Sequence, residues 1–235
     1  MTWSLTPLEW EALGLSLKVA TWATVASLPL GIFIAWVLAR HRFAGHGILN
    51  GVVHLPLVLP PVVVGYALLI VLGRGGALGG WLFATFGLTL AFTWKGAAVA
   101  AAVMAFPLMV RAMRLSLETV DPGLEQAART LGAAPLRVFF TVTLPLMLPG
   151  VVTGSVLAFA RALGEFGATI TFVSNIPGET RTLPLALYTF TQVPGGESSA
   201  LRLAVLAVAV ALVALIASEA LARRVRRMTQ GEDRV

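Results

Sequence analysis

Polar chemistry is sparse in this sequence and unevenly placed. Arg161 and Glu165 stand in an otherwise apolar stretch, ARALGEFGATITFV, from Ala160 to Val173. Four residues apart, they share a helix face and can pair there. Ionisable groups within a membrane-length apolar segment are costly, so they mark function unless they neutralise each other. Spacing alone leaves both readings open. A bare Glu165 would repel an anion and is not expected to be a direct anion ligand. Gly164 and Gly167 allow close helix approach, which suits a gate or dimer interface here.

Other candidate chemistry is weaker. His41, His46 and His54 fall within fourteen residues, but no Cys or acidic residue lies nearby to complete a metal site. They read as basic interfacial residues. The run GRGGALGG from Gly73 to Gly80 has no lysine where a phosphate-binding loop needs one. ATP hydrolysis is therefore not expected of this chain. No nucleophile–base arrangement stands out, so no catalytic residue, metal or cofactor is expected.

These residues must be positioned by membrane helices. Of 235 residues, 57% are hydrophobic and 12% charged, whereas soluble domains carry about 25% charged residues. The mean hydropathy is +0.87. The net charge is +6, but the arginines cluster beside apolar segments, as topology-setting charges do, and nucleic acid is not an expected partner. Cysteine is absent. The first ten residues hold Glu9 and no Lys or Arg, unlike a secretory signal.

Spans of roughly 20 apolar residues are predicted at Leu13–Ala39, Ile48–Leu72, Gly96–Met113, Leu146–Val173 and Leu201–Ala222. Pro56, Pro60 and Pro61 must kink or break the second. Ala77–Phe92 and Leu183–Val193 read as short helices or re-entrant pieces. Arg40 and Arg42, then Arg111, Arg114, Arg129 and Arg137, then Arg223, Arg224, Arg226 and Arg227 all fall on one side of five spans. Under the positive-inside rule that side is cytoplasmic, which puts the N-terminus outside and the C-terminus inside.

Between the third and fourth spans lies DPGLEQAARTLGAAPLRVFFTVTLPLMLPG, Asp121 to Gly150. Asp121 suits an N-cap and Pro122 the first helical position. Leu124, Ala127, Ala128 and Leu131 share one small apolar face. Glu125 and Arg129 are spaced to pair on another. Gly132 can end the helix in the left-handed conformation, and Pro135 blocks its continuation. From spacing alone this is either a capped connector or a docking element.

The segment resembles the EAA loop of ABC-importer permeases: Glu-Ala-Ala, three residues, Gly, nine residues, Ile-x-Leu-Pro. Gly132 is followed by nine residues and then Val142, Thr143, Leu144 and Pro145. One departure is clear: the formal Glu position holds Gln126, with the carboxylate one place earlier at Glu125. The resemblance implies that Glu125, Gln126, Ala127, Ala128, Arg129, Gly132, Leu144 and Pro145 couple the chain to a cytoplasmic ATPase subunit. GEFGAT with NIPGETRTLPLALY, Gly164 to Tyr188, and RHRFAGHGILNGVVHLPLVLPPVVVGYALL, Arg40 to Leu69, are very similar to permeases of molybdate importers. Sulfate and tungstate permeases carry less close versions.

The resemblance implies an all-α integral membrane protein with the type I ABC importer permease fold. One permease domain would fill 1–235, with a core at 13–222, the coupling loop at 121–145 and a basic tail at 223–235. Some relatives have an extra N-terminal span; the five-span form is expected here. The implied setting is the bacterial cytoplasmic membrane. The implied partners are a second copy of the chain, an ABC ATPase dimer and an extracytoplasmic oxyanion-binding protein. Arg161, Gly164, Glu165 and Gly167 are the pore or gate candidates. An ATP-independent transporter would move substrate without a partner. An intramembrane enzyme would need converging polar groups, and only Arg161 and Glu165 qualify.

Overall fold

The computed structural model describes the backbone of residues 5–230, and the side chains of these except 218–219, 221–222 and 224–230. The predicted tail beyond Arg223 thus lies largely outside the described residues. Every described element is helical: α1 (Pro7–Arg40), α2 (His46–Val58), α3 (Pro61–Leu72), α4 (Ala77–Phe86), α5 (Trp94–Glu118), α6 (Pro122–Thr130), α7 (Pro135–Val138), a π-helical turn (Phe139–Thr143), α8 (Leu144–Leu163), α9 (Gly167–Val173), α10 (Leu183–Thr191) and α11 (Glu197–Gln230).

Local chemistry sets the starts. Before α1, the Thr6 amide donates to Glu9 Oε2 at 2.7 Å, and the Glu9 amide donates to Thr6 Oγ1 at 3.4 Å. This reciprocal box satisfies two donors left free at a helix start, so the helix begins six residues before the predicted span. At α5, Thr93 Oγ1 accepts from the Gly96 amide at 3.3 Å.

Among the described residues, four helical runs are long and apolar enough to cross a bilayer: Pro7–Arg40, Trp94–Glu118, Pro135–Leu163 and Glu197–Ala217. The predicted second span is instead a broken pair, α2 and α3, bent by 116°. Leu59 and Pro60 each precede a proline and are extended, with ψ of 143° and 133°. A following proline disfavours the helical conformation, so two in succession break the helix where Pro56 alone leaves α2 intact.

α1 and α5 run parallel. Near their starts, Lys18 Nζ sits 3.7 Å from the Trp94 ring centre. At their far ends, Arg40 Nη2 donates to the Val120 carbonyl at 3.0 Å. Residues 41–93 must therefore carry the chain back, with α2 and α3 as the broken part of that return.

The predicted fourth span is shifted. Its helical run starts at Pro135, ends at Leu163, and breaks at 164–166 before α9. Gly164 and Phe166 leave helical geometry there, Phe166 at φ −128°. The two weaker segments form α4 and α10.

The core lies among α1, α5 and α8. Met104, Met109, Met113, Leu117 and Met147 fill it, and alanines 97, 98, 100, 101 and 105 bring α5 close to its neighbours. A methyl group at Gly154 would lie 2.8 Å from the Met109 carbonyl, and one at Gly150 would collide with Ser116. A second cluster of Ala12, Leu13, Leu183, Ala186 and Leu203 joins the starts of α1, α10 and α11. Arg202 Nη2 meets Glu9 Oε1 there at 2.9 Å.

α3 and α9 approach closely. A methyl at Gly65 would fall 2.5 Å from the Ala168 carbonyl oxygen and 2.9 Å from Thr171, whereas one at Gly47 meets nothing within 4 Å. Gly65→Val is expected to cost about 1–3 kcal/mol through overpacking, and Gly47→Ala much less. Thermal unfolding in detergent would check the contrast.

Candidate functional site

α6 is capped at both ends. Asp121 Oδ1 accepts from the Gly123 amide at 2.8 Å, and Pro122 opens the helix. At the other end Gly132 has φ +85°. Its amide donates to the Arg129 carbonyl at 3.0 Å, and the Ala133 amide to the Ala128 carbonyl at 3.1 Å. This pair of bonds is the Schellman closure.

The apolar face points away from the rest of the chain. Leu131 is 88% exposed and Leu124 49% exposed; Ala127 is exposed and Ala128 half-buried. Leu136 and Phe140, just beyond, are exposed as well. Gln126 and Arg129 also lie on the surface.

Glu125 does the opposite. It is only 6% exposed, and the expected Glu125–Arg129 pair does not form. Its Oε1 instead meets Arg40 Nε at 3.0 Å and accepts from Thr143 Oγ1 at 3.1 Å. One carboxylate oxygen thus joins α6 to the end of α1 and to the base of α8. Arg40 lies 85 positions from Glu125, so helical spacing gave no sign of it. The basic residue ending the first span was its only trace.

Thr143 closes the π-helical turn. Pro145 cannot donate a helical hydrogen bond, and its ring crowds the carbonyl four residues back. The chain widens there, and the Leu144 amide reaches Phe139, five residues earlier. Leu144 packs against the main core, and Pro145 is half-buried beside it. These two residues of the Leu-Pro motif therefore set the helix geometry that presents Thr143 to Glu125.

The second polar focus is the break after α8. Arg161 Nη1 lies 2.6 Å from Glu165 Oε2, with side-chain exposures of 29% and 2%. The pair forms as the spacing suggests, but across a helix end rather than within a continuous helix. Glu165 Oε1 accepts from the Ala168 amide at 2.8 Å, so its two oxygens serve different partners. Gly164 is exposed at the break. A methyl at Gly167 would fall 2.8 Å from Pro61 Cβ. The break after α8 therefore sits against the break between α2 and α3.

The histidines do not converge. His46 Nε2 lies 3.0 Å from the Leu38 carbonyl oxygen and His54 Nδ1 2.9 Å from that of Asn50. The His41 ring packs edge-on to Trp36.

This helical architecture is that of type I ABC importer permeases. A bacterial ABC transporter involved in import of the acidic polysaccharide alginate superposes with a TM-score of 0.72, covering 94% of this chain and 80% of that one at 15% identity. Residues 27–227 match the family described as binding-protein-dependent transport system inner membrane component, and the chain belongs to that family. It is 64% identical over 219 residues to the molybdenum transport system permease protein ModB of Escherichia coli (strain K12), covering 93% of this chain and 96% of that protein. To the protein of the same name from Haemophilus influenzae it is 58% identical over 220 residues, covering 94% and 96%.

Removing one member of a buried ion pair strands the other. Arg40→Leu and Glu125→Leu are each expected to cost about 3 kcal/mol, and the double variant less than their sum. A double-mutant cycle by thermal unfolding would check this. Exchanging Arg161 and Glu165 is expected not to restore stability, because an arginine at 165 cannot accept the Ala168 amide. Unfolding of the exchanged variant beside Glu165→Gln tests that.

Proposed function

We propose that this chain is the transmembrane pore subunit of an ATP-driven importer that carries molybdate across the bacterial cytoplasmic membrane. The observation that carries the coupling role is α6: a helix closed at both ends, with an apolar face turned outward and its one carboxylate turned inward. The cargo reading rests on the likeness to the molybdenum permeases. Two copies pair around a central pathway as one permease domain each. An ABC ATPase dimer docks on the two α6 helices, and an extracytoplasmic binding protein delivers the oxyanion.

In this reading the coupling residues divide into two groups. Leu124, Gln126, Ala127, Ala128, Arg129 and Leu131 form the docking surface, shaped by Gly132. Glu125, with Thr143, Leu144 and Pro145 behind it, carries motion inward. ATP hydrolysis belongs to the partner. Arg161, Gly164, Glu165 and Gly167 form the gate, where a helix end can shift without breaking a continuous hydrogen-bond ladder. The side bearing Arg40, α6 and the end of α11 is cytoplasmic, by the positive-inside rule, and the N-terminus lies outside.

The test is reconstitution of the whole complex in liposomes, with labelled molybdate, tungstate and sulfate offered in turn. ATP-dependent uptake of molybdate is expected. Uptake without the ATPase would overturn the coupling, and uptake of only sulfate or tungstate would overturn the cargo. Leu131→Asp is expected to lower ATPase binding by at least tenfold, since it places a charge in an apolar interface. Gly132→Val is expected to abolish transport-coupled hydrolysis, because a β-branched residue is strained at positive φ. Pull-down and phosphate release measure the two.

A further inference from the structure

A groove of about 840 Å³ runs between α5 and α8 down to the start of α6. Leu108, Arg111, Ser116 and Thr119 line it from α5, and Thr153 and Leu157 from α8. Pro149, Thr153 and Leu157 succeed one another at four-residue steps on α8 and floor the groove, and Arg161 follows one step beyond its lining. Asp121 and Leu124 stand at its far mouth.

Arg111 is the arginine that lines the groove. Its neighbour Arg114 is satisfied by Glu118 at 2.7 Å and Asn50 at 3.0 Å, and Arg40 by Glu125 and Val120. Arg111 is exposed and has no hydrogen-bond or ion-pair partner among the described residues. Arg42, Arg129 and Arg137 share that state at the basic end of the bundle. Arg111 lies seven residues before the end of α5, about 10 Å inside it. Its place in the groove lets the guanidinium meet water or an anion rather than lipid. The Ser116 hydroxyl, also without a hydrogen-bond partner among the described residues, lies in the same groove. One α8 turn beyond Leu157, Arg161 spends one nitrogen on Glu165 and keeps other N–H groups free.

We infer that this groove is this chain's wall of the cytoplasmic half of the path taken by a tetrahedral oxyanion, with Arg161 one α8 turn above its lining and Arg111 as the cation met within it. The inference rests on the proposed oxyanion-importer reading and extends it. Arg161 and the level of Arg111, near Thr153, are eight residues apart on α8, about 12 Å of rise. An anion passing the break would leave one cation for the next. A single guanidinium against a dianion leaves net negative charge, so the site holds its ligand weakly, as an exit should.

The absence of cysteine makes the test direct. Thr153→Cys puts a lone thiol in the groove of the assembled complex. Its labelling rates are measured with an anionic sulfonatoethyl and a cationic trimethylammonioethyl methanethiosulfonate reagent. The anionic reagent is expected to be favoured, and Arg111→Gln to lower the anionic-to-cationic ratio by about tenfold, while Arg111→Lys preserves it. Millimolar molybdate is expected to slow labelling at least about fivefold with Arg111 in place, a measurement that needs no change at Arg111. A ratio indifferent to Arg111→Gln, or labelling indifferent to molybdate, would overturn the assignment. If the unmodified complex imports molybdate yet either result is indifferent, the groove assignment alone fails. If it imports no oxyanion, the importer reading fails with it.

Discussion

A carboxylate turned away from water at a membrane surface needs a cation and hydrogen bonds to replace its hydration. Glu125 finds both in Arg40 Nε and Thr143 Oγ1. Because each partner belongs to a different long helix, the electrostatic requirement of one side chain holds three elements together. Arg40 also bonds the Val120 carbonyl where the chain leaves α5. α6 therefore cannot shift relative to α1, α5 and α8 without exposing a buried charge. Its far side presents the exposed Leu124, Ala127 and Leu131. One short helix thus has an inner face fixed by charge and an outer face free to meet a partner.

The membrane region follows a different physical rule. Two helices are interrupted, one by consecutive prolines and one at Gly164, and the interruptions meet. Gly65 and Gly167 bring the backbones of α3 and α9 within a methyl group of contact. Glu165 compensates one interruption by accepting the Ala168 amide at the new helix start while its other oxygen balances Arg161. Irregular backbone at membrane depth is tolerated where protein or a wet cavity satisfies it. Here the protein supplies much of that satisfaction, leaving the Arg161 side chain partly exposed. The flexible Met104, Met109, Met113 and Met147 pack the neighbouring core, a composition that adapts to small shifts between helices.

Much of this was legible in the sequence because it is local. Asp121, Pro122 and Gly132 announced α6 through capping chemistry within a dozen residues, and the apolar runs announced the long spans. The Arg161–Glu165 pair followed from a four-residue spacing. What escaped depended on distance or on degree. Arg40 meets Glu125 only through the tertiary fold, so the nearer Arg129 looked like the natural partner. Pro56, Pro60 and Pro61 predicted an interruption, but only the extended Leu59 and Pro60 reveal a 116° turn. The second bond of Glu165 was hidden because an apolar run conceals where a helix stops and restarts. The Glu125–Gln126 offset from the family pattern acquired a structural meaning: the inward carboxylate and the outward amide occupy different faces.

In the proposed coupling, motion of the docked ATPase reaches the spans through Glu125. The most direct measurement is the number of molybdate ions imported per ATP hydrolysed in a reconstituted complex carrying Glu125→Gln, with ATPase docking verified by pull-down. The ATPase is expected to stay docked and hydrolyse ATP while this ratio falls about tenfold, within the usual range of coupling energies. A docked, hydrolysing complex with an unchanged ratio would contradict the proposed coupling.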